Sequence, residues 1–176
     1  MYRMISPYKI KIDNDLNVKI AYTDKPLEKN NECNTIAQLV YESMQWVADS
    51  LLQNTSDFYI LINYGGLRSN IPQGDILKRN IFELMPFDNS VVILELTDDQ
   101  RNELLSRTKE NKKLLLKSKN NQPAMILVTS DYLYQGGDNC EFLKNCKPIR
   151  VTRYFIRDAI IRYCIIQKQL NINCFH

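Results

Sequence analysis

Asn63, Gly65, Gly66 and Arg68 sit together in the segment NYGGLR, and Tyr132, Gly136, Gly137 and Asp138 sit together in DYLYQGGD. Phe87 follows a proline in MPFDNS. These residue types can do one kind of chemistry between them. An asparagine carboxamide donates and accepts at once, so it can read the edge of a base. Arginine offers a planar fork to a phosphate or a carboxylate. A carboxylate can accept from both hydroxyls of a ribose. Two aromatic rings on separate loops can close over a flat heterocycle, a stack worth about 1–3 kcal/mol per base in single-strand binders. Each residue also has a plainer reading. Phe87 and Tyr132 are of the type that fills cores, Asp138 can serve as a turn residue, and Arg68 can be a surface charge. Their shared placement in loops after or before strands points to a ligand site.

The chain has five glycines in 176 residues, where average usage gives about twelve. Gly65, Gly66, Gly74, Gly136 and Gly137 all fall where strands are expected to end or in the loops that follow. Glycine is needed where φ is positive or where the backbone must come close to a ligand, although strand ends need turns in any case. The composition is that of an ordinary globular chain, at 44% hydrophobic and 24% charged residues. A net charge of +3 permits an anionic ligand without indicating a nucleic acid. The only histidine is His176, which excludes a Ser-His-Asp triad, an HExxH zinc site and a histidine-rich di-metal centre. The cysteines, at 33, 140, 146, 164 and 174, are odd in number and irregular in spacing, with no CxxC pair. Buried or idle thiols are expected, with Cys140 and Cys146 able to pair in an oxidising compartment. No apolar run approaches the roughly 18 residues that cross a bilayer. The segment MYRMISPYKIKIDND lacks the apolar core of a secretion signal.

The elements that must position these residues follow from apolar spacing. Residues 8–22 alternate and read as extended, with a helical start over 5–15 equally open. Ile36, Leu39, Val40, Met44, Val47 and Leu51 predict an amphipathic helix over 35–53, capped by Asn34 or Thr35. DFYILIN, SVVILEL and AMILVTS read as buried strands at 57–63, 90–96 and 124–130. Short helical spacing marks 78–86, and Thr97 with Gln100 predicts a capping box at the start of another helix. A lysine-rich stretch fills 107–120, and a last helix is expected over 151–169. Arg150, Arg153, Arg157 and Arg162 lie near helical spacing there and read as a solvated face. Strands alternating with helices indicate an α/β or α+β sandwich.

NYGGLRSNIPQGDILKRNIFELMPFDNSVVILELTDDQRNELL, residues 63–105, resembles the C-terminal domain of the 5′-nucleotidase family. VTSDYLYQGGDN, 128–139, resembles the second signature of that domain, and IRDAIIRY, 156–163, its closing helix. NECNTIAQLVYESM, 31–44, resembles its opening helix in weaker form, with Ala37-Gln38 where the family usually has Gly-Asn. The resemblance is to a stand-alone form of the domain, as in Bacteroides-type bacteria. It implies an α+β fold, a mixed sheet with packed helices over 21–170, preceded by a linker segment at 1–20. The family usually has a longer segment after the helix near 98–106. RTKENKKLLLKSKNNQP, 107–123, stands in its place, which leaves the completeness of the sheet open.

By the same resemblance, Phe87 and Tyr132 are the pair that sandwiches the base. Asn63 is the base-contacting asparagine, Arg68 the arginine near ribose and phosphate, and Asp138 the acid that holds ribose hydroxyls. Gly65, Gly66, Gly136 and Gly137 border the substrate within the matched elements. Lys29 is the nearest candidate for an arginine that the family often places before the opening helix. Full-length members also carry a two-metal phosphoesterase domain built on His, Asp and Asn ligands. One histidine in 176 residues cannot supply that centre. The implied function is therefore to bind the nucleoside part of a substrate for phosphate-ester hydrolysis by a separate metallophosphoesterase partner. No cofactor is expected in this chain, divalent metals being confined to the partner, and neither nucleic acid nor a membrane span is expected. The alternative is a stand-alone nucleotide-binding or degenerate interaction module without catalysis. The expected location is the periplasm or cell envelope if a signal was trimmed, and otherwise the cytoplasm.

Overall fold

The computed structural model describes residues 14–30, 33–53, 57–120 and 122–175. Five strands form the central sheet in the order β5-β2-β6-β4-β7. They are β2 (Tyr59–Asn63), β4 (Ser90–Glu95), β5 (Leu114–Ser118), β6 (Ile126–Ser130) and β7 (Lys147–Phe155). β2 and β6 run parallel, and the other neighbours pair antiparallel, so the sheet is mixed. A smaller sheet joins β1 (Lys19–Thr23), β3 (Gly74–Leu77) and β8 (Gln169–Leu170) in the order β3-β1-β8.

The unbroken apolar runs of β2, β4 and β6 are explained by burial on both faces. Ile60, Ile62, Val91, Ile93 and Val128 point into one core with Ile36, Leu39, Val40 and Met44 of helix α1 (Thr35–Leu51). Ile156 and Ile160 of helix α5 (Ile156–Gln167) close that core, and the small sheet adds Ala21, Ile76 and Leu170. Helix α2 (Lys78–Leu84) contributes Ile81 and Leu84. Tyr59, Leu61, Val92, Leu94 and Leu127 point the other way. They meet Leu104 of helix α3 (Asp98–Glu110) and Leu133, Phe142 and Leu143 near the short helix α4 (Asp131–Tyr134). The α/β sandwich and its mixed sheet are thus as expected.

Caps mark the helix starts as expected. The Asn34 side chain, rather than that of Thr35, accepts from the Ala37 N–H at 2.8 Å. The Thr97 hydroxyl accepts from the Gln100 N–H at 3.3 Å while the Gln100 carboxamide accepts from the Thr97 N–H at 2.9 Å.

Four expectations are corrected. The lysine-rich stretch 107–120 hides β5, which pairs antiparallel along the whole of β2 and completes the sheet. The last helix begins at Ile156, and 147–155 form β7, an edge strand. The arginines at 150, 153, 157 and 162 therefore do not lie on one helix face. Gly74, with φ of 114°, opens β3 beside β1 rather than lying in a loop. Cys140, Cys146 and Cys164 are free and buried thiols, as expected, but Cys33 and Cys174 are not idle and form a disulfide across 141 positions. It draws the C-terminal segment to the start of α1, where the ring of Phe175 meets that of Tyr41 at 6.1 Å. Most of the expected linker 1–20 lies outside the described residues, and β1 begins at Lys19.

Candidate functional site

Topology brings the singled-out loops together. β2 and β6 are parallel neighbours, so their C-terminal ends share one edge of the sheet, and β4, antiparallel to β6, starts at that same edge. Asn63 ends β2, Phe87 precedes β4, and Tyr132 follows β6. A crevice beyond the carboxyl ends of adjacent strands is where open α/β sheets hold ligands. Here a cavity of about 340 Å³ is lined by Asn63, Gly65, Gly66, Arg68, Phe87, Tyr132 and Asp138, together with Asn89. That volume lies within the range of small-ligand sites. The sequence pointed to seven of these eight residues. Asn89 was missed, and it was detectable only as a polar residue beside Phe87.

The two rings are free to receive a ligand. Phe87 is 40% exposed and Tyr132 is 42% exposed, in a chain that buries most of its large apolar side chains. The one pair of rings in contact among the described residues is Tyr41 with Phe175, so Phe87 and Tyr132 do not fill the space between them by stacking on each other. Gly137 lets the Tyr132 ring lie where it does. A Cβ at Gly137 would collide with ring atoms Cε1 and Cζ and come within 2.7 Å of Cδ1. Gly136 turns the chain in the left-handed region, at φ of 94°. Neither glycine lines the cavity, so both act by shaping the loop.

The polar groups are likewise uncommitted. Arg68 is exposed and has no carboxylate partner among the described residues, and its guanidinium lies 5.1 Å from the centre of the Phe87 ring. Its backbone is fixed by donation from the Arg68 N–H to the Leu84 carbonyl at 2.9 Å. A Cβ at Gly66 would lie 2.9 Å from Asn63 Oδ1, so the second glycine of that pair makes room for the Asn63 carboxamide. Asp138 takes a positive φ of 50°, a conformation that aspartate tolerates better than most side chains.

A set of contacts behind the lining holds the two aromatic loops in register. The Asp131 carboxylate accepts from the Ser90 N–H at 3.0 Å, the Ser90 hydroxyl at 2.8 Å and the Tyr132 N–H at 2.8 Å. One side chain thus ties the strand after Phe87 to the residue that carries the second ring. Arg157 of α5 pairs with Asp88 and reaches the Met85 and Pro86 carbonyls at 3.5 and 3.4 Å. It is 12% exposed at the side chain and braces the Pro86–Asp88 loop from behind.

Lys29 is placed outside the cavity lining. Its ammonium donates to the Leu67 carbonyl at 2.8 Å and lies 3.8 Å from the Tyr64 ring centre. Burial, and secondarily the Arg68 charge, hold its pKa below the usual lysine range. The lysine therefore supports the Tyr64–Arg68 loop from beneath. Among the described residues no group of three or more His, Cys, Asp or Glu side chains could hold a metal ion.

The model of the family described as 5′-nucleotidase, C-terminal domain, matches residues 17–125. The trifunctional nucleotide phosphoesterase protein YfkN of Bacillus subtilis (strain 168) is 26% identical over 111 residues, which are 61% of this chain and 8% of that protein. Protein UshA of Escherichia coli (strain K12) is 29% identical over 98 residues, 55% of this chain and 17% of its own length. Among solved structures, a 5′-nucleotidase precursor from Thermus thermophilus covers 97% of this chain with a TM-score of 0.78 at 16% identity, using 41% of its own chain. At that identity the likeness shows the fold. The present chain spans less than a fifth of either curated relative. The family match stops short of Tyr132 and Asp138, which join the site through the geometry described above.

Proposed function

Because the chain belongs to the 5′-nucleotidase C-terminal domain family, we propose that its strand-end cavity binds the nucleoside part of a nucleotide. In this reading it supplies recognition for phosphate-ester hydrolysis by a separate di-metal phosphoesterase. The observation that carries the reading is the convergence of Asn63, Arg68, Phe87, Tyr132 and Asp138 on one cavity between two exposed rings. Phe87 and Tyr132 take the base between them, and the Asn63 carboxamide reads its edge. Asp138 accepts from ribose hydroxyls. Arg68 meets the phosphate, its charge not already balanced by a carboxylate among the described residues. The described residues supply no metal cluster, so the hydrolytic step belongs to another domain or protein. The disulfide between Cys33 and Cys174 suits an oxidising compartment, which favours the periplasm or cell envelope.

The test is calorimetric titration with adenosine and AMP. Phe87→Ala and Tyr132→Ala each weaken both ligands, and Arg68→Gln weakens AMP more than adenosine. Unchanged affinities in both ring variants would remove the stacking site. The partnership is tested separately, by mixing the chain with a metallophosphoesterase that lacks a domain of this kind and assaying AMP hydrolysis. Binding without any gain in hydrolysis selects the stand-alone binding module.

A further inference from the structure

A second cavity lies away from the strand-end crevice, between α1 and β7, with a volume of about 580 Å³. Its wall on the α1 side is mostly apolar, with Trp46, Val47 and Leu51 beside Ser50. The opposite side carries Arg150 and Arg153 from β7 and Arg162 from α5. We propose that this cleft is a second binding site, for a small anion carried on a flat apolar body.

The pattern of ion pairs supports the cationic half. Arg101, Arg107 and Arg157 each have a carboxylate partner within the chain. Arg150, Arg153 and Arg162 form no ion pair among the described residues, and all three are exposed. Burial raises the pKa of the Tyr154 hydroxyl, the Arg162 charge opposing the rise and the Asp158 charge adding to it. Three guanidiniums around one concavity raise the local concentration of anions and offer planar forks to a carboxylate, sulfonate or phosphate.

The apolar half selects the body of the ligand. Trp46, Val47 and Leu51 give the α1 side of the cleft an apolar surface facing the charged side. A flat ring laid there is covered on one side by indole or aliphatic surface and on the other by guanidinium planes. Tyr154, also of the lining, keeps its hydroxyl out of solvent with no hydrogen-bond partner, while its ring lies 5.4 Å from the Arg162 guanidinium. Arg162 comes from a different element than Arg150 and Arg153, so the charges enclose a cleft rather than form a row. A row would suit a nucleic acid strand.

Trp46 is the only tryptophan in the chain, so its indole N–H gives one cross-peak in a ¹H–¹⁵N spectrum and reports on this cleft directly. The titrants are phenyl phosphate, benzoate, inorganic phosphate and benzyl alcohol. Phenyl phosphate and benzoate are expected to move the peak saturably. Inorganic phosphate and benzyl alcohol, each with half the chemistry, bind at least about tenfold more weakly. Arg150→Gln and Arg153→Gln each weaken phenyl phosphate about tenfold, and Arg162→Gln provides the same reading from α5 should changes on β7 disturb the edge strand. Phe87→Ala and Tyr132→Ala leave the titration unchanged. The proposal is overturned if the arginine variants bind as the native chain does, if the shift vanishes in the Phe87 or Tyr132 variant, or if no titrant saturates. Tighter and salt-steep binding of a single-stranded oligonucleotide at the same peak would replace it with a nucleic-acid site.

Discussion

Gly137→Ala isolates the Tyr132 ring without touching it. The backbone at Gly137 is not in the left-handed region, so alanine is permitted there. The added Cβ would overlap ring atoms Cε1 and Cζ of Tyr132 and lie 2.7 Å from Cδ1, and a rigid ring has no flexible end to yield. The ring must swing away. Tyr132 is 42% exposed, so it can move toward solvent at a stability cost below about 1 kcal/mol, a shift of at most about 4 °C in Tm for a chain of this size. Binding loses more. One face of a base–aromatic stack is worth about 1–3 kcal/mol, so adenosine affinity should fall about 5- to 150-fold. The assay is calorimetry on four proteins: native, Gly137→Ala, Tyr132→Ala and the double variant. Since the alanine acts only through the ring, the double variant should match Tyr132→Ala to within about 0.5 kcal/mol. Native-like affinity in Gly137→Ala would refute this reasoning. So would a double variant clearly weaker than Tyr132→Ala, because Gly137 would then touch the ligand itself.

Arg157→Ala removes the brace on the Pro86–Asp88 loop and should weaken adenosine about tenfold by calorimetry, with Arg157→Lys recovering only part because an ammonium lacks the fork that spans Asp88 and two carbonyls. Cys33→Ser with Cys174→Ser opens a 141-position loop, whose chain-entropy ceiling is about 5 kcal/mol, and a realised loss of about 2–4 kcal/mol should appear in urea melts that no longer respond to reductant. Burial pushes the thiols of Cys140 and Cys146 up to about 11 and that of Cys164 up to about 12, so a thiol-specific disulfide reagent at pH 8 should find none of the three in the native chain. Unfolding should release three thiols without reductant and five with it. The same shifts set a sign for alkaline stability. In the unfolded chain the thiols lose their protons first, so stability is full below about pH 9 and declines as pH rises toward 11–12, which melts across that range will show.

The cavity lining was legible because its residues sit where the chain must turn at strand ends, and turn residues leave local marks. The glycine pairs and the proline before Phe87 flag three loops, and three continuous apolar runs flag β2, β4 and β6. β5 was not legible for a physical reason. Only Leu114, Leu115 and Leu116 are apolar in it, and flanking lysines mask the run. As an edge strand it can carry those lysines, and Lys117 and Lys119 are held by Gln38 and Asp49 of α1, contacts between residues far apart in sequence. β7 is the other edge, and its exposed residues give no core-facing alternation to read. The disulfide was missed because its partners are 141 positions apart, and an odd number of irregularly spaced cysteines pointed to unpaired thiols.

What no local pattern conveys is why Phe87 and Tyr132 should face a common space, and the structure locates the reason in residues with no mark of function. Asp131 looks like a first-turn acid of a short helix, yet it binds Ser90 across the sheet edge and so fixes the spacing of the two loops. Arg157 looks like part of an arginine stripe, yet its fork is engaged by Asp88 and two carbonyls. That assignment also separates the arginines into two kinds. Arg157 is held by the fold, whereas Arg150, Arg153 and Arg162, which share its apparent periodicity, have no carboxylate partner among the described residues and surround a different cleft. The strand-to-helix change at Phe155–Ile156 puts Arg150 and Arg153 on β7, and within α5 the five-residue step from Arg157 to Arg162, more than a third of a turn off a shared face, sends Arg162 to their cleft.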